Sequence, residues 1–186
     1  MQLSRDSITQ AALEILDEFG LADVSMRRIA TRLGVAPGAL YWHVSNKQEL
    51  IASMAEAILA PLTAAPASDP AELSAQLWQC VLAVRDGAEI VVAAISQPHS
   101  VVGAEIETVF LQVVGRAAPA RASQSNVRSA ARGLLHLTLG AAAVEQSGAQ
   151  LADATGVADG PDTAALTADH ARAVSLLLAG LEQAPQ

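Results

Sequence analysis

Cysteine is almost absent. Cys80 stands alone among 186 residues, so no intramolecular disulfide can form, and no Cys/His cluster has the spacing of a zinc site. A disulfide scaffold and a structural metal are therefore not expected, and the thiol usage predicts a cytosolic (cytoplasmic) chain. No basic start precedes a long apolar stretch, and the apolar stretches are too short or too interrupted to cross a bilayer, so neither a secretion signal nor a membrane span is expected. Basic charge is scarce as well: eleven Lys and Arg face nineteen Asp and Glu, a net charge of −8. Such a balance makes the whole chain a poor nonspecific partner for nucleic acid. Paired carboxylates and a phosphate-cradling loop are missing, and Cys80, set among Leu77, Val81 and Val84, reads as a buried inert thiol. The chain is not expected to be an enzyme, and no catalytic residue, cofactor or metal is assigned.

What charge there is lies unevenly. Residues 1–50 hold five basic side chains against six acidic ones, which leaves −7 for the remainder. Four of the five, Arg27, Arg28, Arg32 and Lys47, crowd the stretch VSMRRIATRLGVAPGALYWHVSNK at 24–47, while most of the nearby acids precede it. That stretch reads as two short helices and a turn. Ser25 caps the first, Ile29, Ala30 and Leu33 give it one apolar face, and Gly34 stops it. Pro37 starts the second, which carries Leu40 inward and Tyr41, Trp42 and His43 toward its far end. Residues 25–43 thus have the spacing of a helix-turn-helix, whose second helix enters the DNA major groove. The bland alternative is a plain three-helix bundle that uses two aromatic residues for packing.

The run LGVAPGALYWHVSNKQEL, preceded by a helix ending in EFG, resembles the N-terminal domain of the tetracycline-repressor (TetR) family of transcription regulators. The resemblance implies a role for particular residues. Arg27 matches an arginine that reaches a base or the backbone, Arg28 stands beside it, and Tyr41, Trp42, His43 and Lys47 match phosphate or sugar contacts. Pro37, Gly38 and Ala39 stand in the base-reading part, where Pro37 and Ala39 replace a glutamine and a threonine. No Arg, Lys, Asn or Gln lies between Val35 and His43. Direct readout must then lean on Arg27 and on the Ala39 methyl against thymine, with DNA shape supplying the rest.

The whole chain reads as all-α. A helix is expected over 5–19 from Ile8, Ala11, Ala12, Ile15, Leu16 and Phe19 at three- and four-residue spacing, stopped by Gly20. Ser45 with Gln48, or Asn46 with Glu49, caps a fourth helix through Leu50, Met54 and Ile58. Pro61, Pro66 and Pro70 bracket a linker-like turn, and Asp69-Pro70-Ala71-Glu72 is a helix start. Further helices follow over 89–96 and around 106–114, the last closed by Gly115 and Pro119. The domain boundary is placed at 46/47: a helix-turn-helix DNA-binding domain over 1–46 and a ligand-binding and dimerisation domain over 47–186. Ser123–Gln146 and the last helix, with His170, Val174, Leu177, Leu178 and Leu181, are suited to pair with symmetry mates as a four-helix bundle, or else to complete the monomer core. The intervening SGAQLADATGVADGPDT, with no periodicity, reads as a mobile loop.

The passages RDGA at 85–88 and HLTLG at 136–140 resemble the tetracycline repressors themselves. Those proteins hold a magnesium–drug chelate with two histidines. Here the corresponding region after RDGA places Val91, and ILAPLTAAP replaces the other; Leu73 and Leu77 stand where a polar and an aromatic drug contact would be. A hard cation needs oxygen or imidazole donors, so the cavity is expected to be mostly apolar and free of magnesium–tetracycline. Trp78, Gln97, His99, Gln112 and His136 are the candidate ligand-binding residues. Each has a bland alternative: an interhelix tryptophan, a helix-capping His99, a core His136. The reading as a whole is a ligand-responsive regulator, a repressor first, binding double-stranded DNA at a near-palindromic operator as a homodimer and released by a small apolar effector. The alternative is a helical ligand-binding dimer that has lost DNA binding.

Overall fold

In the computed structural model, residues 3–156 and 162–184 are described, and among them nine α-helices and one short 3-10 turn account for the secondary structure. The first three helices build a small head. α1 (Arg5–Phe19) starts at Ser4, whose hydroxyl accepts from the Ser7 N–H while the Ser7 hydroxyl accepts from the Ser4 N–H. Its buried side, Ile8, Ala11, Ala12, Ile15 and Leu16, is the stripe read from the sequence. Phe19 departs from that stripe: it is exposed, and the Arg28 guanidinium lies 3.9 Å over its ring. After a 3-10 turn at Leu21–Asp23, α2 (Met26–Leu33) is capped by Ser25 and ends at Gly34, which takes a left-handed φ of 68°. Arg32 holds Glu18 through two hydrogen bonds and so ties α2 to α1.

The second helix of the motif is shorter than expected. α3 spans only Pro37–Leu40, and Tyr41, Trp42 and His43 form the turn that follows it. The reason lies in the anchors. Leu40 and Val44 are both fully buried, and the Val44 N–H still reaches the Leu40 carbonyl at 2.9 Å, so the three residues between them are thrown outward.

α4 (Lys47–Ala64) leaves the head and enters the body. Of the two caps considered, the Asn46 pair forms: its side chain accepts from the Glu49 N–H at 2.9 Å, and the Glu49 carboxylate accepts from the Ser45 N–H at 2.7 Å. Hydrogen bonding from Ser45 holds the Glu49 carboxyl below its ordinary pKa. Pro61 does not break the helix, a correction to its reading as a linker boundary; α4 ends one turn later, so few internal hydrogen bonds are lost. Gln76 closes the turn after it, donating to the Ala65 carbonyl and accepting from the Ala67 N–H, both at 3.0 Å.

α5 (Pro70–Leu82), α6 (Gly87–Ile95), α7 (Val101–Ala117), α8 (Gln124–Thr155) and α9 (Thr163–Gln183) pack around one apolar interior. α7 runs through Gly115 and ends at Ala117, with Ala118 as its cap before Pro119, the second of the two closing residues expected. The larger correction concerns 147–155, read as a loop and in fact the last turns of α8, closed by Gly156 at φ 66°. Residues 157–161 lie outside the described residues. Helix wins because the segment holds three alanines beside Gln150 and Leu151, good helix formers, and because Gln146 and Gln150 are hydrogen-bonded to the body. Gly133 lets α9 come close, since a Cβ there would lie 3.1 Å from Leu177 Cδ1. Among the described residues no helix is long and apolar enough to cross a membrane.

Leu73, Leu77 and Val91 have no exposed surface and join Ile106, Phe110 and Leu134 in the continuous core.

Candidate nucleic-acid interface and ligand groove

The head offers one face rich in exposed side chains. Trp42 is 90% exposed and Tyr41 51% exposed, and both stand beside exposed His43 and Lys47. Burying an indole gains roughly 1.5–3 kcal/mol or more, so leaving Trp42 in water contributes nothing to the fold. Lys47 is the first residue of α4, where unpaired N–H groups add to its positive charge. Arg27 is exposed on α2, Pro37 and Gly38 are exposed on α3, and Ala39 is half-buried between them and Leu40. The three arginines of α2 divide by occupation. Arg28 pairs with Asp23 while lying over Phe19, and Arg32 is held by Glu18 and Glu14. Among the described residues Arg27 and Lys47 enter no ion pair, which leaves these two cations free for an outside anion.

In the body, α5, α8 and α9 enclose an open groove of about 720 Å³. Trp78 and His136, both expected from the sequence, line it together with Leu137, Val144, Glu145 and His170. Trp78 is buried and stacks on His170, with ring centroids 4.4 Å apart and planes 10° from parallel. The other expected ligand residues lie elsewhere. Gln97 donates to the Gln48 carbonyl at 3.1 Å, His99 is exposed in the turn before α7 at φ 58°, and Gln112 is exposed on α7. Leu73, Leu77 and Val91 do not line the groove.

Sequence reading missed the buried polar chain that runs from Thr138 through Ser74 to His170 of the groove. The Thr138 hydroxyl donates to the Leu134 carbonyl at 2.8 Å and therefore accepts from Ser74. Ser74 Oγ lies 3.4 Å from His170 Nε2, within hydrogen-bonding reach. Burial lowers the His170 pKa. His170 Nδ1 and Glu145 Oε2 are the two buried side-chain atoms without a hydrogen-bond partner among the described residues. His170 repeats with the leucines of α9, and that periodicity alone marked it as packing.

A third cluster joins head and body. Asp86, buried at a left-handed φ of 55°, accepts from the Leu21 N–H at 2.7 Å and from the Gln150 amide. Arg85 beside it donates to the carbonyls of Asp17 and Glu18 at the end of α1, at 3.3 and 3.4 Å. Gln146 accepts from the Ala88 N–H and donates to the Val81 and Val84 carbonyls. The start of α6 is thus fastened to α1 on one side and to α8 on the other, while its end reaches α4 through Gln97.

Residues 8–54 match the family model described as bacterial regulatory proteins, tetR family. The chain is 32% identical over 158 residues to the tetracycline repressor protein class E of Escherichia coli, covering 81% of this chain and 72% of that protein. Matches to the class C, A and D repressors span 26%, 45% and 27% of those proteins' lengths. Among solved structures, BioQ of Mycobacterium smegmatis superposes with a TM-score of 0.81 at 36% identity, covering 97% of this chain and 98% of that one. BioQ with its natural double-stranded DNA operator gives a TM-score of 0.79 at 34% identity, covering 98% of this chain and 100% of that one. A helix-turn-helix head fastened to a helical body, together with these likenesses in sequence and fold, places the chain in the TetR family of bacterial regulatory proteins.

Proposed function

We propose that the chain is a DNA-binding transcription regulator, a repressor, that binds a near-palindromic operator as a homodimer and is released by a small molecule. Residues 1–46 form the reading head and 47–186 the effector and dimerisation body. The observation that carries the DNA part is the exposed cluster of Tyr41, Trp42, His43 and Lys47 thrown outward between the buried anchors Leu40 and Val44. Rings and hydroxyls of this kind brace against sugar and phosphate, and Lys47 neutralises a phosphate charge. Arg27, exposed and free of ion pairs, is the base-reading cation, and Arg28 braces the head from within. The DNA-bound BioQ structure supports the same use of this fold.

Dimerisation is supported by an apolar face that the chain leaves open: Val144 and Leu151 on α8 and Leu176 on α9 are each at least 65% exposed. A two-fold pair would set the heads about 34–36 Å apart, one helical turn of DNA. The effector acts in the α5–α8–α9 groove. Movement of α8 there pulls on Asp86 through Gln150 and on the start of α6 through Gln146; Asp86 passes it to the 3-10 turn after α1 through Leu21, and the end of α6 to α4 through Gln97. A ligand that favours one head spacing by about 1–3 kcal/mol weakens operator binding roughly 5- to 150-fold.

Selection of binding sequences from random duplexes, followed by anisotropy titrations at several salt concentrations, tests the DNA reading. Arg27→Ala is expected to lose affinity on the selected duplex but little on a scrambled one. Lys47→Ala should weaken both alike and reduce the salt slope by about 1. Equal loss on both duplexes for Arg27→Ala contradicts its base-reading role.

A further inference from the structure

We propose that the seam between α7 and α8 docks an acidic segment of a partner protein, with Arg128 and Arg132 as the residues that hold its carboxylates. This interaction is separate from DNA reading by the head and from the groove beside α9.

Charge is segregated along the chain. Residues 108–144 hold four arginines and no Asp or Glu, a local charge of +4 in a chain of net −8. Helix ends account for two of the four. Arg116 lies in the last turn of α7, where a cation suits the unpaired carbonyls, and Arg121 donates to the Glu182 carbonyl at the end of α9. Arg128 and Arg132 have no such role. They stand one turn apart on α8, a spacing at which like charges disfavour a helix. Among the described residues Arg128 enters no ion pair, and Arg132 meets only Glu107, at 3.6 Å with side chains 57% and 46% exposed. A pair so exposed contributes little and is readily exchanged for another carboxylate.

Both arginines line concave surface. Arg128 borders a hollow of about 510 Å³ at the α7–α8 corner, with Leu111 and Gly115 of α7, and Arg132 and His136 border a second of about 320 Å³ further along the same seam. Gln124, Arg128, Arg132 and His136 recur every four residues, so the two hollows run in series over about 18 Å of α8. The two arginines are about 6 Å apart along the helix axis, close to the roughly 6.8 Å between alternate side chains of an extended chain. A peptide with acidic residues at every second position therefore meets both guanidiniums, each able to hold a carboxylate through two N–H groups. Leu111, 39% exposed, adds an apolar contact at the corner. Nucleic acid fits the seam poorly, because residues 111–144 contain no Phe, Tyr or Trp on which a base could stack. The seam is also clear of the face proposed for the second copy: Arg128 and Arg132 lie about 160° and about 120° around α8 from exposed Val144.

Fluorescence anisotropy of the full chain with a labelled, acetylated peptide, Leu-Ser-Glu-Ser-Glu-Ser, at low salt tests the proposal, with the same peptide carrying Lys in place of Glu as control. The acidic peptide is expected to bind and to weaken as salt is raised, and the Lys peptide not to bind. Arg128→Ala and Arg132→Ala together should cost about tenfold or more in affinity, and lysine at both positions should recover only part of the loss. Glu107→Gln, which removes the competing carboxylate, should tighten binding severalfold. Gly115→Leu should weaken it by filling the corner hollow, where a Cβ would lie 3.7 Å from Val127 Cγ1. All of these positions are exposed, so thermal melts should stay close to that of the unmodified chain. Equal binding of the two peptides overturns the proposal, as does unchanged affinity in the double alanine variant or weaker binding in Glu107→Gln. If the acidic peptide does not bind and the double variant instead loses retention on phosphatidylglycerol vesicles or on nonspecific duplex DNA, the occupant is that polyanion and the protein partner is excluded. Loss of operator affinity in the double variant would assign the two arginines to DNA and overturn the proposal as well.

Discussion

Leu40→Ala is expected to destabilise the chain by about 2–5 kcal/mol and to abolish operator binding at concentrations that saturate the unmodified protein. Leu40 has no exposed surface and is the one buried residue of the four-residue α3. A helix of one turn has almost no stability of its own, so the tertiary anchor holds it in place. With the anchor shortened, the adjoining turn at Tyr41–His43 loses its outward geometry, and the contacts it positions are lost together. Chemical denaturation at fixed protomer concentration gives the first quantity and fluorescence anisotropy the second. Trp42→Ala provides the contrast. Its ring is in water, so stability should change by no more than about 0.5 kcal/mol while DNA affinity falls. A Leu40→Ala variant that binds DNA normally would show that the aromatic turn does not depend on its anchor.

Asp86→Ala is expected to cost about 3–5 kcal/mol, an effect unusual for a residue outside the apolar core. Its carboxylate serves the Leu21 N–H from the head and the Gln150 amide from α8, and its backbone sits at φ 55°. Alanine removes both acceptors, leaves the Leu21 N–H without its partner, and meets strain in a left-handed conformation that Asp tolerates better. Asp86→Asn keeps an acceptor and the conformational tolerance, so it should lose less than half as much. Hydrogen exchange localises the effect: amides of 20–24 and the end of α8 should lose protection first in Asp86→Ala. Equal stability of the Ala and unmodified chains would mean that head and body are held together elsewhere.

The elements legible in the sequence were those whose signal is local. Ser25 before an apolar stripe, Gly34 after it, and Asp69-Pro70 with Glu72 each fix a helix end through a single turn of backbone, and each is found in place. What failed depended on partners distant in the chain. Residues 147–155 carry no periodic stripe, yet Gln146 and Gln150 bond to residues some sixty positions earlier and the helix persists. α3 stopped at Leu40 because Val44 is a second anchor, a fact of burial that spacing did not reveal. The same division runs through the sites. The exposed aromatic–basic turn stands out in a chain with 3% aromatic residues, whereas the groove wall is assembled from Trp78, His136, Glu145 and His170 on three helices. His170 sat in a leucine repeat and read as packing. Its stacking on Trp78 and its orphaned nitrogen become visible only when α5 and α9 are brought together.

Whether the head reads DNA sequence is decided most directly by an anisotropy titration of the full chain against its selected near-palindromic duplex and a scrambled duplex of equal length at physiological salt. Specific binding by two heads is expected to favour the selected duplex by roughly 10³-fold, at the low end for specific regulators because the reading helix lacks bidentate side chains. Saturation should come at two protomers per duplex. Equal affinity for the two duplexes would contradict the assignment and leave a helical ligand-binding protein whose helix-turn-helix no longer reads DNA.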